Sequence, residues 1–365
     1  MPRCLLLVYL ALACPAFSQG PEQLFREGVD AQQRGDFEAA IRAYQQVLKL
    51  DPKSVAAQAN LGAALAHVGR FDEAVAAYRS ALAADPENSA IRLNLALAYY
   101  KKGDLRSAAS QFEKLHQSDP VNLQVATLLG DCELKLGDPE QAAQLTVPLA
   151  NAHPENLDLA YVAGSALIKT HKRRDGLVFV ERVAKEGNSA DAYLLAGATW
   201  LDMNEAESAR HDLETAMQLN PNLPGLHTLL GTAYDKGGDP AAAEPQFRRA
   251  LELNPKDFQA NLYLGAILYK RRDLEGARTF LKHALETDSS SAMARFELAQ
   301  VESASGQLEA AAADLEKASR GDRNWLDPHV QLAALYYKMH RPAEGAKERE
   351  IVDRLTAEQQ RRGPQ

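Results

Sequence analysis

Apolar side chains recur along this chain at helical spacing. In one stretch they fall at Leu61, Leu65, Ala74, Tyr78 and Ala81, and in another at Leu264, Leu268, Ala277, Leu281 and Ala284. Steps of three and four residues put such side chains on one face of a helix, whereas a strand would alternate every second residue. The pattern breaks at regular intervals. Gly35-Asp36, Gly103-Asp104, Gly137-Asp138 and Gly238-Asp239 each separate two apolar stretches. There Gly ends a helix in the left-handed conformation and Asp caps the next one. Asp51-Pro52, Asp85-Pro86, Asp119-Pro120, Asn220-Pro221 and Asn254-Pro255 close the second stretch of each pair, because proline disfavours helical backbone in the residue before it. The prediction is helix, turn, helix and stop, many times over.

Written in rows of 34 from Pro21, these features fall into register. The rows run 21–54, 55–88, 89–122, 123–156, 157–189, 190–223, 224–257, 258–291, 292–325 and about 326–358. The eighth place holds Gly28, Gly62, Ala96, Gly130, Gly164, Gly197, Gly231, Gly265, Ala299 and Ala333. The twentieth holds Ala40, Ala74, Ala108, Ala142, Gly176, Ala209, Ala243, Ala277, Ala311 and Gly345. Small residues at both places predict two helices crossing closely within each row. One helix pair cannot bury its apolar face alone, so the rows must stack and share a core.

The pattern resembles the tetratricopeptide repeat family, over residues 21 to about 358. The resemblance implies an all-α fold: an α-solenoid, a right-handed superhelix of stacked antiparallel helix pairs. Rows one to three depart from the family at its first aromatic place, which holds Leu24, Gln58 and Arg92. Row five departs most: it is one residue short, carries His171-Lys172-Arg173-Arg174 at the turn and ends on Gly187-Asn188 without proline. Two readings of that row stay open, a bend in the stack and ordinary drift within a weak repeat. Pro148 and Pro245, inside second helices, are expected to bend or locally open them.

Composition narrows the class of protein. Of 365 residues, 46% are hydrophobic and 25% charged, enough apolar surface to fold and too little charge bias for disorder. A net charge of −8 opposes general attraction to nucleic acid or anionic membrane. The opening MPRCLLLVYLALACPAFSQG has an Arg, a short apolar stretch and small residues around Ala16 and Ser18, the layout of a secretory signal peptide. The expected organisation is a signal peptide at 1–18, a repeat domain at 19–358 and a polar tail at 359–365. The protein would then be exported, to a periplasm or the outside. A lipid anchor on Cys14 is the weaker reading, since Ala11 and Leu12 suit a lipobox poorly. No segment has the roughly 20 apolar residues that span a bilayer. After cleavage Cys132 would be the one remaining cysteine, read as a small core residue.

Catalytic patterns are missing. The sequence has no His-Glu-x-x-His, no phosphate loop and no Gly-x-Ser-x-Gly. The histidines are scattered, with His67, His171 and His340 at or near turns. Neither an enzyme, a metal nor a cofactor is expected. The resemblance implies instead a concave groove lined by places two, five, nine, twelve and thirteen of each row. Here these hold Leu93, Leu97, Tyr100, Tyr161, Leu194, Leu262, Tyr269, Phe296 and Tyr337, with Lys101, Lys135, Lys169, Lys236, Lys270 and Lys338 recurring at place thirteen. That set fits an extended or helical segment of a partner protein, held by apolar anchors, with the lysines either favouring acidic side chains or forming a solvated edge. The family's clamp for a C-terminal carboxylate is matched only by Asn60 and Asn94, without the basic residues around them. The expected function is an exported scaffold or adaptor, in envelope or secretion assembly. The alternative is a binding subunit for a glycan or lipid carrier, which tyrosines clustered along one groove wall would favour, whereas tyrosines dispersed into the core would favour the adaptor. Oligomeric state stays open, with Ile351, Val352 and Leu355 on one side of the last helix serving either a polar cap or a dimer contact.

Overall fold

The computed structural model describes residues 20–362, so the expected signal peptide and Cys14 lie outside the described residues. The described residues form twenty helices and two compact units, the boundary falling between Lys172 and Arg173, inside the basic turn of row five. In the first unit the helices are α1 (Pro21–Gln33), α2 (Phe37–Leu50), α3 (Val55–His67), α4 (Phe71–Ala84), α5 (Ser89–Lys102), α6 (Leu105–Ser118), α7 (Leu123–Leu136), α8 (Pro139–Ala152) and α9 (Leu157–Lys169). The second unit holds α10 (Arg173–Glu186), α11 (Ala190–Asp202), α12 (Ala206–Leu219), α13 (Leu226–Lys236), α14 (Pro240–Leu253), α15 (Phe258–Lys270), α16 (Leu274–Thr287), α17 (Ala292–Ala304), α18 (Leu308–Gly321), α19 (Leu326–Lys338) and α20 (Pro342–Arg362). Within each unit every helix packs on its neighbours in sequence, and several first helices of adjacent rows touch as well, among them α7 with α9 and α11 with α13. Each unit by itself is therefore an α-solenoid of antiparallel helices. Residues 359–362 of the polar tail continue α20 as helix.

The punctuation works as the residues require. Gly35, Gly103, Gly137 and Gly238 have φ of +80°, +86°, +90° and +83°. The Asp after each of them accepts the backbone N–H three residues on, as from Ala39 to Asp36 at 2.9 Å. Where a row lacks that glycine, His171, Asn204, Arg272 and His340 adopt the same left-handed backbone, at φ 63°, 62°, 68° and 59°. The turn geometry belongs to the stack, and the residue conforms to it. Pro148 and Pro245 do not interrupt their helices, since α8 and α14 run 14 residues through them. Both prolines are exposed, so the backbone carbonyls they leave unpaired can turn to water.

The small eighth place has a definite partner. A Cβ on Gly62 would stand 2.8 Å from the Tyr78 ring, and one on Gly231 2.7 Å from Phe247. The partner is the twenty-fourth place of the row; the alanine at place twenty contributes its backbone, with Ala209 O 3.2 Å and Ala277 O 3.3 Å from such a Cβ on Gly197 and Gly265. Tyr44, Phe112, Phe247 and Leu281 at that place are fully buried, at roughly 1.5–3 kcal/mol for each large apolar side chain. The core is a series of clusters, each shared by adjacent rows. Cys132 is fully buried in one of them, and burial pushes its thiol up to about 12. Leu355 is 4% exposed, so it belongs to the fold of its own chain and offers nothing to a dimer contact.

Candidate partner-binding face

All fifteen candidate residues stand on the first helices of their rows, but the structure sorts them into different classes. Leu93, Leu97 and Tyr100 of α5 are half-buried against the core cluster of rows three and four. Leu194 of α11, and Leu262 and Tyr269 of α15, pack in the same way against clusters of the second unit. Tyr161 of α9 is half-buried, whereas Tyr337 of α19 is 42% exposed. Phe296 corrects the expectation. It is 9% exposed and packs at 4.7 Å centroid distance against Trp325. It serves the core, because a large ring at that place is drawn under the Trp of the row's closing loop.

The six lysines are all exposed, yet they are not equivalent rungs. Lys135 donates to Asp131 Oδ2 at 2.7 Å and to the Tyr100 hydroxyl, and its Nζ lies 4.6 Å over the Tyr100 ring. Tyr100 in turn donates to Asp131 at 2.5 Å. Burial, with Asp131 beside it, raises the Tyr100 hydroxyl above its ordinary value. That charge is already neutralised within the fold. Lys236 reaches back to Asn204 Oδ1 at 3.4 Å, tying α13 to the preceding turn. Lys270 faces Glu297, whose carboxyl burial raises and Lys270 partly restores. Among the described residues Lys101, Lys169 and Lys338 make no ion pair. A continuous row of free ammonium groups is not what the fold presents.

One part of the first-helix face forms a cleft. Three successive first helices of the second unit, α15, α17 and α19, enclose about 430 Å³. Tyr269 and Lys338 stand in its lining with Gln300, Ser303, Gln331 and Ala334. Gln300 and Ala334 occupy place nine and Ser303 place twelve, so their row positions pointed here. Neutral polar residues at one surface place carry no distinctive pattern in sequence, so the periodicity alone does not single them out. The cleft offers amide and hydroxyl groups, one free cation and an aromatic edge. Such a lining pairs with backbone N–H and C=O groups and has no acid–base couple for catalysis. Among the described residues no cluster of three His, Cys, Asp or Glu could hold a metal ion, and no helix is long and apolar enough to cross a membrane.

A second feature escaped the sequence reading. In five rows place four holds a polar side chain that clasps the loop closing the preceding row. Gln58 donates to Pro52 O at 2.8 Å, Asn261 to Pro255 O at 3.1 Å and Arg295 to Ser289 O at 2.7 Å; Arg92 donates to Pro86 O. His227 bridges Pro221 O at 3.0 Å and Gln246 Oε1 at 2.8 Å. The shared signal is spacing, six residues back to the loop and 19 forward to the second helix, legible only once the pairing is known.

Comparison with known proteins agrees with this architecture. One model of the tetratricopeptide repeat matches residues 25–89 and 228–292, and another matches 65–132 and 100–164. Comparison with curated proteins finds no significant match. Among solved structures, the APC/C hetero-tetramer Cut9-Hcn1 is similar over 93% of this chain and 88% of that one, at 14% identity and a TM-score of 0.53. MamA 41-end from Desulfovibrio magneticus RS-1 is similar at 24% identity over 47% of this chain and 96% of its own, TM-score 0.43. YrrB, titled a TPR protein with an unusual peptide-binding site, is similar at 22% identity over 50% of this chain and 94% of its own, TM-score 0.43. With the repeat models covering more than half of the sequence and the helix pairs in register with them, the chain belongs to the tetratricopeptide repeat family.

Proposed function

We propose that this protein is an exported scaffold or adaptor that holds a segment of a partner protein against its first-helix face, in the assembly of envelope or secretion machinery. The observation that carries the binding is the cleft of α15, α17 and α19, where Gln300, Ser303 and Gln331 can pair with a partner's backbone beside Tyr269 and Lys338. The apolar residues around it are largely committed to the core, so affinity must come from backbone pairing and shape, with one lysine adding about 0.2–1 kcal/mol. Export rests on the leader-like composition of residues 1–18.

The tyrosines favour a protein ligand over a glycan or lipid carrier. Tyr44, Tyr78 and Tyr336 are buried between helices, and Tyr263 stacks on Phe247 at 5.4 Å. On the first-helix face Tyr269 and Tyr337 are separated by α17, which contributes no tyrosine, so no continuous aromatic wall lines the second unit. A triple variant, Tyr269→Ala, Gln300→Ala and Lys338→Ala, tests the reading by crosslinking pulldown from native extracytoplasmic extract, with helicity checked by circular dichroism. Loss of a specific set of proteins supports the cleft. The same proteins captured by both forms would remove it. N-terminal sequencing of the protein from its native compartment tests export, which fails if Met1 or its neighbours are retained.

A further inference from the structure

The second helices carry a different surface. In the first unit a crevice of about 360 Å³ lies between α4 and α6, with α5 as its floor. Arg79 stands on one wall, Lys114 on the other and Arg92 on the floor, above Leu82, Leu95 and Tyr99. No carboxylate lines it. Arg79 and Lys114 are exposed and make no ion pair among the described residues, in a chain whose net charge is −8.

Two equivalent places in the same molecule show what these cations are not for. One row earlier, α2 and α4 enclose a crevice of about 400 Å³ over α3, with Gln45, Gln58 and Ser80 where Arg79, Arg92 and Lys114 stand. Its one charged lining residue, Glu73, is clasped by Arg70 at 2.7 Å. Gln58 still bonds the loop carbonyl of Pro52 as Arg92 bonds Pro86. The architecture therefore needs none of the three charges. Rows eight and nine repeat the cations as Lys282, Arg295 and Lys317, but there the fold supplies an anion itself. Asp314 accepts from Arg295 at 2.9 Å and pairs with Lys317 at 3.6 Å, while the neighbouring Glu302 feels Lys282 and Lys317 but is pushed toward its protonated form by burial. In row three the places of Asp314 and Glu302 are Gln111 and Tyr99.

We propose that the α4–α6 crevice is a second docking site, taking a segment of a partner protein that carries two or more carboxylates beside aliphatic side chains. The partner's carboxylates approach Arg79 and Lys114 from solvent and supply the negative charge that Asp314 brings in row nine, since in row three that place holds the neutral Gln111, which accepts from Arg92 at 3.2 Å. Its aliphatic groups lie on Leu82, Leu95 and Tyr99. Carboxylate is the anion chosen because it is the one the fold itself sets against this trio of cations. The site is separate from the first-helix cleft, shares no residue with it and stands or falls independently.

The test is fluorescence anisotropy of the full chain with a labelled peptide of Glu, Leu and Gly, and a control peptide with Gln for Glu. The acidic peptide should bind in a salt-dependent way and the control should not. The pair Arg79→Gln and Lys114→Ser installs residues that the neighbouring crevice already tolerates, and should weaken binding about tenfold with an unchanged thermal midpoint. Gln111→Asp supplies the anion from within and should suppress binding while the chain stays folded. Equal affinity of wild type and the double variant would overturn the proposal, as would equal binding of the Gln peptide. Binding of phosphatidylserine vesicles or single-stranded RNA that the acidic peptide cannot displace would also overturn it, by assigning the crevice to another anion.

Discussion

Side chains in this protein are frequently placed against their own preferences. Arg272 takes φ +68°, where Gly103 and Gly137 stand in equivalent turns. Left-handed backbone costs a non-glycine residue roughly 1–2 kcal/mol, and glycine returns about 0.5–1 of that through the entropy of the unfolded chain. Arg272→Gly is thus expected to stabilise by about 0.5–1 kcal/mol, read as a higher urea midpoint at unchanged slope. Glu302 is 7% exposed, and one of its carboxylate oxygens has no hydrogen-bond partner. Burial, with Asp314 nearby, lifts it from the usual 4.5 to about 7, against the pull of Arg278, Lys282 and Lys317. A carboxyl raised on folding contributes stability in its protonated form, present below pH 4.5 and lost as pH rises through about 7. Glu302→Gln should therefore raise the thermal midpoint at pH 8 and leave it little changed at pH 4. A gain of equal size at both values would remove the titration argument.

Between helices, the polar residue at place four does work that the family's aromatic would do by packing. His227 is 7% exposed and links Pro221 O to Gln246, joining the loop of one row to the second helix of the next. His227→Ala leaves both partners unpaired, at about 1–3 kcal/mol, whereas His227→Gln can reach the loop carbonyl as Gln58 does in row two. Chemical denaturation of both variants checks this: equal losses would show that the bond contributes nothing. Helix ends and crossings were legible in advance because they depend on neighbours in sequence. Gly35-Asp36 and Asp51-Pro52 impose their conformations through their own backbone, and the eighth-place glycines marked the crossings. Place four was not legible, because Gln58, Arg92, His227 and Arg295 share no chemical type. What they share is a distance to a carbonyl six residues back, which exists only after the helices have paired.

For the whole molecule, stacked rows make stability a sum of local terms and contacts with the next row. Asp36 and Asp104 cap helices two rows apart and share no partner. Each Asp→Ala change is expected to cost about 1 kcal/mol, and the double variant should match the sum to within about 0.5 kcal/mol. A larger deviation would mean that the rows are coupled beyond their neighbours. The sequence by itself determined the helix count, the turns, the caps and the 34-residue register, since each follows from periodicity and local backbone chemistry. It also marked row five as irregular, where the two compact units divide. Only the tertiary structure decided which candidate side chains are accessible. Phe296 went to the core, Lys135 to Asp131, and Gln300 and Gln331 to the cleft. Burial and charge compensation depend on residues brought together from different rows, and a one-dimensional repeat pattern treats equivalent places as equal when their surroundings are not.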